Sequence, residues 1–547
     1  MSLGRFGLLV VILLVAPLAA CRRDAGPSPV TTAVQARIDD RTAGAAVVWD
    51  DVRAFYQLRD HRAAWVGDNG RVAHEGAILD VLAQATAHGL PEGTPRAEWQ
   101  ATIQQVRDTK GDLPARSSAI ADLDVRLTEA LLGLGRQVAL GATDPTGLDR
   151  RWKARRNPPD LAGILAALVE PGPREWLDKV QPTHGEYSRL KEALQILDGQ
   201  RAKGGWPAVT PGGDRRQASL RPGAHAPAVV TLRARLAAGG HLTGHAATSQ
   251  SPEYDSDVAA GVKAFQEHHS LKVNGVADAP TLAAMNVPID RRLAQIALNL
   301  ERWRWMPDDF GARHLLVNIP SYHVVARENG RDVMDIRVVV GKPGHETPVF
   351  SETMKTVVFS PYWNIPDTIA EGETVPALAR DSKYLERNQI EVLRRTKGGV
   401  EAINARDVDW GDEDEVSSLT FRQKPGENNA LGRVKFLFPN PYDVYLHDTP
   451  ADALFSRVGR AFSHGCVRVE EPETLATYVL RGQADWPTPR ILEAMNAGTE
   501  KAVTLAEPIP VHIVYFTAAV DAQGGIHVWD DVYGFDAKQM SLKARTR

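Results

Sequence analysis

One cysteine of this chain lies in a short string whose neighbours suit nucleophilic chemistry. The 547 residues include two cysteines, Cys21 and Cys466. A thiol becomes a nucleophile when a nearby imidazolium lowers its pKa, and backbone N–H groups can stabilise the oxyanion that its attack creates. We therefore predict Cys466 as a nucleophile, with Gly465 and His464 forming its oxyanion hole or pocket. The whole string is Ser463-His464-Gly465-Cys466-Val467-Arg468.

A second histidine precedes this string and is the expected general base. Fifteen residues separate His447 from Ser463, and a strand, a turn and a returning strand could bring His447 beside Cys466. A nucleophile, a base and a third orienting group form the general arrangement of an activated thiol. We expect His447 to remain an imidazolium ion beside the thiolate. Asp448 would orient His447, through either its backbone carbonyl or its side chain.

Four further residues are expected to bind substrate. Arg468 could pair with a substrate carboxylate, and its alternative role is a structural salt bridge. Tyr445 and Trp363 could line a substrate groove, and packing in the core is an equal alternative for both. Ser463 completes this set. A cysteine endopeptidase would need similar chemistry, but the sequence around Cys466 lacks papain-like signatures.

The sequence predicts that these residues are positioned by the strands of a β-rich catalytic domain over residues 312–485. Runs of β-branched and apolar residues predict strands over 314–319, 322–326 and 333–340, and Asn329-Gly330 is a hairpin signal. The polar and mixed stretch 366–430 interrupts the strands as an insertion. Long insertions near a site often act as lids. Residues 486–547 would supply the last strands, 511–516 and 526–529, and return the chain to the scaffold.

The region before this domain is helical in its periodicity. Apolar residues from Ile120 to Val138 step by three and four, which places them on one helix face. Residues 46–205 are therefore expected to form a helical scaffold domain, and 203–227 a linker or irregular loop. Residues 225–290 form a compact unit of three short helices, with Asn274-Gly275 as a turn. The predicted fold class is multidomain α+β.

These strings resemble known families. The three-helix unit is similar to the peptidoglycan-binding module, although Ala277-Asp278-Ala279 stands where a Gly-Pro pair is usual. His447 with the string 463–468 resembles the signature of the YkuD-type L,D-transpeptidase domain. Flanking strings resemble its large YcbB-type subfamily, with Ser360 where Asn is common. They include residues 338–341, 347–350, 361–366, 429–432 and 438–440.

This resemblance implies a specific reaction. Cys466 would attack the third residue of a peptidoglycan tetrapeptide stem, release D-alanine and form a thioester. The amine of another stem would resolve the thioester and make a 3→3 cross-link, and carbapenems would acylate the same thiol. Because an amine must compete with water, a lid that excludes water is expected, and 366–430 is the candidate.

Other outcomes of the same fold remain open at this point. Water, a free D-amino acid or a lysine of an envelope protein could resolve the thioester instead of a stem amine. A non-enzymatic wall-binding protein would use the peptidoglycan-binding unit alone and would leave Cys466 an inert buried thiol. The His447 and Cys466 strings favour the enzyme.

The N-terminus predicts export. A signal peptide is predicted over residues 1–20, because a basic residue, Arg5, is followed by an apolar run over 6–18 and then by small residues. An uncleaved anchor helix is the alternative. Residues 18–21 resemble a lipoprotein cleavage box, which implies a lipid on Cys21. The protein would then be lipid-anchored on the periplasmic side of the envelope, in the outer membrane. Residues 21–45 are expected to be a flexible tether.

Composition limits the remaining possibilities. A chain with 43% hydrophobic and 24% charged residues is not disordered throughout. A net charge of −4 argues against nucleic acid as a partner. We expect no cofactor and no metal, because two cysteines cannot form a multi-cysteine site. His269, His323 and His527 also lack metal-ligand spacing.

Overall fold

The structure is a computed structural model that describes residues 27–40, 47–211, 219–396 and 399–545. The predicted signal peptide, 1–20, and Cys21 lie outside the described residues. Within the described ranges, no helix combines the length and the apolar character that crossing a membrane requires. The chain divides into two compact units. The first consists of the described parts of Met1–Leu82 together with Thr94–Gly133 and Asp160–Trp176.

The N-terminal part of the chain is helical, as its apolar periodicity predicts. Apolar side chains of the longest helix, from Ile120 to Val138, are buried. The helices are α1 (Pro29–Asp40), α2 (Val48–Gln57), α3 (Glu75–Leu82), α4 (Arg96–Arg107), α5 (Leu113–Leu140), α6 (Leu161–Ala167), α7 (Trp176–Val180) and α8 (Gly185–Ala202). Short 3-10 turns lie at Ala83–His88, Pro145–Gly147 and Pro173–Glu175.

Helix α1 corrects the predicted tether. Residues 29–40 were expected within a flexible segment and instead form a helix. Val30, Val34 and Ile38 recur once per turn and are buried, and Arg37 forms an ion pair with Asp122 at 2.7 Å. Three apolar residues at a spacing of four are too few to make the segment apolar in its average composition, so the composition alone did not predict a helix. These three residues are nevertheless sufficient for one buried helix face.

The second unit contains the three-helix module and the β-rich domain. The module comprises the three predicted helices and one additional short helix: α9 (Pro227–Ala238), the unpredicted five-residue α10 (Gly244–Thr248), α11 (Ser256–His268) and α12 (Ala279–Met285). Helix α13 (Ile289–Arg304) follows. Asp278 caps α12 by accepting a hydrogen bond from the Thr281 amide at 3.1 Å. The departure from the usual Gly-Pro pair therefore supplies a helix cap. Val229, Leu232, Val258, Val262 and Phe265 are among the buried core residues.

The β-rich domain is built on one nine-stranded sheet. Its strand order is β11-β3-β12-β10-β9-β4-β13-β1-β2, and β2 also pairs with β3. The predicted hairpin is confirmed, because β2 and β3 pair antiparallel across Asn329-Gly330. The strands are β1 (Arg313–Asn318), β2 (His323–Glu328), β3 (Arg331–Gly341), β4 (Phe350–Phe359), β9 (Val434–Leu437), β10 (Leu446–His447), β11 (Ala461–Ser463), β12 (Val467–Val469) and β13 (Lys501–Val514).

The insertion has a sheet and a core of its own. Strands β5 (Trp363–Ile365), β6 (Ile390–Thr396), β7 (Gly399–Ile403) and β8 (Leu419–Gln423) form a four-stranded sheet in the order β5-β8-β6-β7. Ile365, Val392 and Phe421 are among the residues of its small core. Short helices accompany this sheet: α14 (Asp367–Ile369), a π-helical turn (Ala370–Thr374), α15 (Val375–Arg380), α16 (Tyr384–Arg387) and α17 (Glu413–Ser417).

The C-terminal part returns to the main sheet and then to a helix. Helices α18 (Pro472–Val479) and α19 (Thr488–Asn496) precede β13, and β14 (Ala518–Val520) pairs with β15 (Ile526–Val528) before α20 (Phe535–Arg545). The fold class predicted from the sequence, multidomain α+β, is confirmed. The helical region, the three-helix module and the β-rich domain follow one another along the chain as expected.

Helix α13 carries buried charges that connect it to the loop after α5. The Glu301 carboxylate accepts hydrogen bonds from the backbone amides of Ala142 and Thr143 at 2.5 and 2.9 Å. Arg304 donates to the same carboxylate at 2.7 Å, and both side chains are fully buried. A buried pair of this kind is costly to break, because removing one partner leaves the other charge without compensation.

Replacing Glu301 with glutamine is therefore expected to lower the free energy of unfolding by about 3–5 kcal/mol. Urea denaturation followed by circular dichroism would measure the change. The matched control is Asp198→Asn, which removes an ion pair with Arg201 whose side chains are more than half exposed. That control should change stability by less than about 1 kcal/mol. Equal effects of the two substitutions would contradict the prediction.

Candidate active site

Two adjacent strands bring the two halves of the predicted site together. Strand β10 pairs with β12 in parallel, with His447 opposite Arg468. The Val467 amide donates a hydrogen bond to the Tyr445 carbonyl at 3.1 Å. Cys466 is the residue immediately before β12. The predicted base and the predicted nucleophile therefore belong to adjacent strand segments, two register positions apart.

A tight turn holds Cys466, the predicted nucleophile. Gly465 has φ +119°, a conformation that residues with a Cβ rarely adopt. The Ser463 hydroxyl accepts from the Gly465 amide at 3.1 Å and donates to the Cys466 carbonyl at 2.5 Å. The Thr347 hydroxyl donates to the Gly465 carbonyl at 2.8 Å. Ser463 is buried, and its hydroxyl is used to fix the turn rather than presented to a ligand.

The Cys466 thiol sits in a poorly hydrated environment. Its Sγ lies 3.6 Å from the Asp443 carbonyl oxygen. Burial raises the pKa of the thiol to about 11, and hydrogen bonds from the backbone and hydroxyl of Tyr445 act in the opposite direction. The pKa therefore shifts opposite to the sequence-based expectation, because desolvation disfavours the thiolate. In the resting protein the thiol is protonated at neutral pH.

His447 is neutral rather than cationic. Burial, together with the positive charge of Arg468, lowers its pKa to about 3. Its Nδ1 lies 2.5 Å from the backbone carbonyl oxygen of Asp448. A carbonyl can only accept, so Nδ1 carries the proton and Nε2 is left as a base. The imidazolium–thiolate pair expected from the sequence is thus replaced by two neutral groups.

Asp448 orients the imidazole through its backbone, which is one of the two routes considered above. Its carboxylate accepts from the Arg433 amide at 2.8 Å and from the Thr449 amide at 2.7 Å. Burial raises the pKa of this carboxyl, although those two amides act in the opposite direction. The side chain therefore fixes the local loop, and the backbone carbonyl fixes the tautomer of His447.

Arg468 carries a buried donor that no described residue satisfies. Its Nε is buried and has no hydrogen-bond partner among the described residues. Burial lowers its pKa, and the nearby charges of Cys466 and Glu373 act in the opposite direction. An unsatisfied guanidinium donor next to a nucleophile is suited to a substrate carboxylate.

His464 connects the nucleophile turn to the insertion. Its Nε2 lies 2.9 Å from a carboxylate oxygen of Glu373, in the π-helical turn of the insertion. The same nitrogen is 3.2 Å from Nζ of Lys342, and the ring of His345 is 4.8 Å away, centroid to centroid. Sequence analysis did not identify Glu373 or Lys342, because no spacing relates them to residue 464.

The remaining predicted residues differ in their placement. The Tyr445 ring lies 5.7 Å from the His447 ring, centroid to centroid, and its hydroxyl contacts the thiol. Trp363 opens strand β5, opposite Gln423, and packs against the core of the insertion. The structure therefore brings Tyr445 to the nucleophile and gives Trp363 a packing role in the small sheet.

The thiol pKa predicts how alkylation depends on pH. With a pKa of about 11, the thiolate fraction grows as pH rises, so the rate of iodoacetamide modification of Cys466 should increase about tenfold per pH unit between 7 and 10. Intact-protein mass spectrometry of a Cys21→Ser variant would measure it. The urea-unfolded protein is the control, and its rate should level off above pH ~8.5. A plateau near neutral pH in the folded protein would contradict the prediction.

Comparison with known families identifies three matching regions. Residues 312–499 match the model for the L,D-transpeptidase catalytic domain, YkuD. Residues 50–194 match a model described as "Scaffold domain", and residues 225–285 match one described as "Putative peptidoglycan binding domain".

Similar proteins are also known. A protein of Haemophilus influenzae named "Putative L,D-transpeptidase" is 33% identical over 248 residues, which are 45% of this chain and 49% of that protein. This chain thus spans about half the length of its curated relative. Among solved structures, L,D-transpeptidase 3 from Mycobacterium tuberculosis is 14% identical, with a TM-score of 0.18 over 37% of this chain and 60% of that one. An L,D-transpeptidase from Xylanimonas cellulosilytica is 13% identical, with a TM-score of 0.18 over 55% of this chain and 99% of that one.

Proposed function

We propose that the protein is an L,D-transpeptidase that acts on peptidoglycan stem peptides. The support is that its regions match models for a YkuD L,D-transpeptidase catalytic domain, a scaffold domain and a peptidoglycan-binding domain. The observation that supports the proposal is the parallel pairing of β10, which ends at His447, with β12, which begins one residue after Cys466. Both residues lie within the matched catalytic domain.

In the first half-reaction, the Cys466 thiol adds to the carbonyl carbon of the third residue of a tetrapeptide stem. The thiol proton passes to Nε2 of His447 as the sulfur–carbon bond forms. The peptide bond then breaks, and the proton goes to the amine of the departing D-alanine, leaving a thioester on Cys466. A neutral thiol on Cys466 and a neutral imidazole on His447 suit this route, because the thiolate and imidazolium charges develop only after the substrate has displaced water.

The oxyanion of this step needs backbone donors. The Gly465 amide already donates to Ser463, so we assign the oxyanion contact to the amide of Cys466 itself. Gly465 and Ser463 then act as positioning residues that aim this amide. A preorganised donor of this kind typically contributes 10²–10³-fold to the rate.

In the second half-reaction, an amine attacks the thioester, loses its proton to His447 and releases the thiol. The amine of another stem would give a 3→3 cross-link, whereas water would give a shortened stem. Residues 366–430 are the proposed lid, because Glu373 of this insertion contacts His464 next to the nucleophile. A closed insertion would favour the amine by excluding water.

Arg468 is the proposed anchor for the carboxylate of the substrate. Its buried Nε lacks a partner among the described residues, and a bound carboxylate would satisfy it. The expected contact is a charge-assisted hydrogen bond, which is stronger than a bond between neutral groups. The tetrapeptide stem ends in such a carboxylate, so the pairing also favours tetrapeptides over stems with a blocked end.

The function is tested by incubating the full chain with a disaccharide tetrapeptide and analysing both protein and products by mass spectrometry. The expected results are an acyl adduct on Cys466, loss of D-alanine and formation of a dimer. Meropenem, a carbapenem, should form an adduct on the same residue. Cleavage or dimer formation without any adduct on Cys466 would overturn the mechanism. An adduct that yields only shortened monomer would instead identify water as the acceptor.

We also propose a lipid on Cys21 and a location on the periplasmic side of the cell envelope. The support is the sequence resemblance of residues 18–21 to a lipoprotein cleavage box. Metabolic labelling of cells with a palmitate analogue should label the wild-type protein and not a Cys21→Ser variant. Fractionation of the labelled cells should recover the protein with outer membranes, and recovery with inner membranes would overturn that part.

A further inference from the structure

Two histidines and an aspartate from distant parts of the chain meet outside the active site. His268 ends helix α11 of the three-helix module, and Asp521 and His527 belong to the β14–β15 hairpin. One ligand atom from each lies within 4.8 Å of the others. The Asp521 Oδ2 atom is 2.9 Å from Nε2 of His527 and 4.0 Å from Nε2 of His268. More than 250 residues separate the module's histidine from the hairpin, so local spacing could not reveal the cluster.

The carboxylate is held so that one oxygen faces both imidazoles. Its Oδ1 accepts hydrogen bonds from the backbone amides of Gln523 and Gly525, both at 2.8 Å. A Cβ at position 525 would lie 2.5 Å from Oδ2 and 2.7 Å from the His268 ring. Glycine is therefore required for the hairpin to approach this closely. Backbone contacts that orient a ligand group in this way are a regular feature of metal sites.

Neighbouring nitrogen atoms lack partners. Both ring nitrogens of His241 and the Nδ1 of His268 are buried without a hydrogen bond to any described residue. The two rings are 5.2 Å apart, centroid to centroid. Unpartnered imidazole nitrogens are costly in a protein interior unless a ligand satisfies them.

The donor set and its geometry select a class of ion. Two imidazoles and one carboxylate suit zinc and its neighbours among the divalent transition metals, whereas calcium and magnesium prefer oxygen ligands alone. Bonds of ~2.0–2.1 Å in a tetrahedral site separate the ligand atoms by about 3.3 Å. The observed separations of 2.9 and 4.0 Å from Oδ2 of Asp521 lie on either side of this spacing. The three side chains retain 23–29% exposure, so an ion can enter from solvent.

We propose that His268, Asp521 and His527 form a divalent transition-metal site, occupied by zinc, that ties the three-helix module to the β14–β15 hairpin. His241 lies beside the site as a candidate fourth ligand. The same region borders a cavity of about 600 Å³ whose lining includes His241, Arg235, Trp206 and Gly524. A metal at its edge would fix the distance between the module and the hairpin. The role is structural, and it does not depend on the proposed transpeptidase reaction.

The test measures bound metal directly on the full chain without a polyhistidine tag. A Cys21→Ser, Cys466→Ser background removes both thiols of the chain as competing ligands. After treatment with EDTA, addition of zinc and desalting, elemental analysis should find about one zinc per chain, and the melting temperature should rise. Cobalt should bind in its place and give a visible absorption band typical of a protein-bound ion.

The variants His527→Gln and Asp521→Asn should each lose the retained zinc and the rise in melting temperature. Both are close in size to the native residues and can keep the hydrogen bond between them, so folding can be verified independently by circular dichroism. The matched control is His323→Gln, because His323 forms a similar pair with Asp335 at 2.6 Å but has no third ligand. Absence of retained zinc in the parent, or equal retention in His527→Gln and His323→Gln, would overturn the proposal.

Discussion

Replacing Cys466 with serine is expected to abolish both the acyl adduct and the formation of dimers. The sulfur forms the covalent bond of the intermediate, and a serine hydroxyl at the same position is far less acidic than the thiol and a poorer leaving group. Loss of a nucleophile from such a unit typically lowers the rate by roughly 10⁶-fold. Chromatography of products from a disaccharide tetrapeptide would place the residual activity at the uncatalysed level.

The matched control for this substitution is Cys21→Ser. It removes the other cysteine of the chain, and with a soluble substrate it should leave the rate unchanged, because that residue lies far from the nucleophile in sequence and serves the proposed lipid attachment. Circular dichroism should show that the Cys466→Ser protein is folded. Dimer formation at more than a trace level by this variant would assign the reaction to another residue.

Replacing His447 with glutamine is the second substitution with a large expected effect. Acylation should slow by 10²–10⁴-fold, which is the usual contribution of a general base. The neutral imidazole of the wild type, with its pKa lowered to about 3, remains a base throughout the range from pH 5 to 8, so wild-type acylation should vary little there. In the variant the thiol must ionise unaided, and its rate should rise with pH toward the thiol pKa of about 11.

Stopped-flow measurement of thioester formation at several pH values would distinguish the two profiles. His323→Gln serves as the control, since it alters a histidine of the same sheet that is paired with Asp335. A His447→Gln variant with a wild-type rate and a flat profile would show that another group removes the proton. A purely structural role for His447 would lower the rate without creating a new pH dependence.

The sequence singled out Cys466 and His447 as the candidate nucleophile and base, but it predicted the wrong protonation states for both. Cys466 and His447 lie in distinctive strings, and their spacing allows a strand pairing, so both could be predicted. The direction of their pKa shifts depends on how completely surrounding side chains exclude water, which no local string encodes. Glu373 escaped prediction for a related reason, because its role depends on how the insertion folds back onto residue 464.

In the fold, too, features with a local sequence signal could be predicted, whereas features that depend on tertiary packing could not. Helices such as α5 and the β2–β3 hairpin were predictable, because their apolar period or turn signal is local. The four-stranded sheet of the insertion was not, since its core uses short apolar runs within polar sequence. Strand β13 begins at Lys501, ten residues before the predicted start. Its first half alternates buried and exposed residues, and only its second half carries the continuous apolar run that signals a buried strand.

The contact between Glu373 and His464 has a consequence for how quickly the site can be reached. The glutamate side chain is 54% exposed and the histidine 26%. Burial lowers the pKa of His464, so at neutral pH the contact is a hydrogen bond rather than an ion pair, and a hydrogen bond contributes about 1 kcal/mol. Such a latch holds its two halves together only about fivefold more often than apart. Thermal motion alone would therefore separate the two side chains in an appreciable fraction of molecules, so the insertion can move away from residue 464 without an energy source.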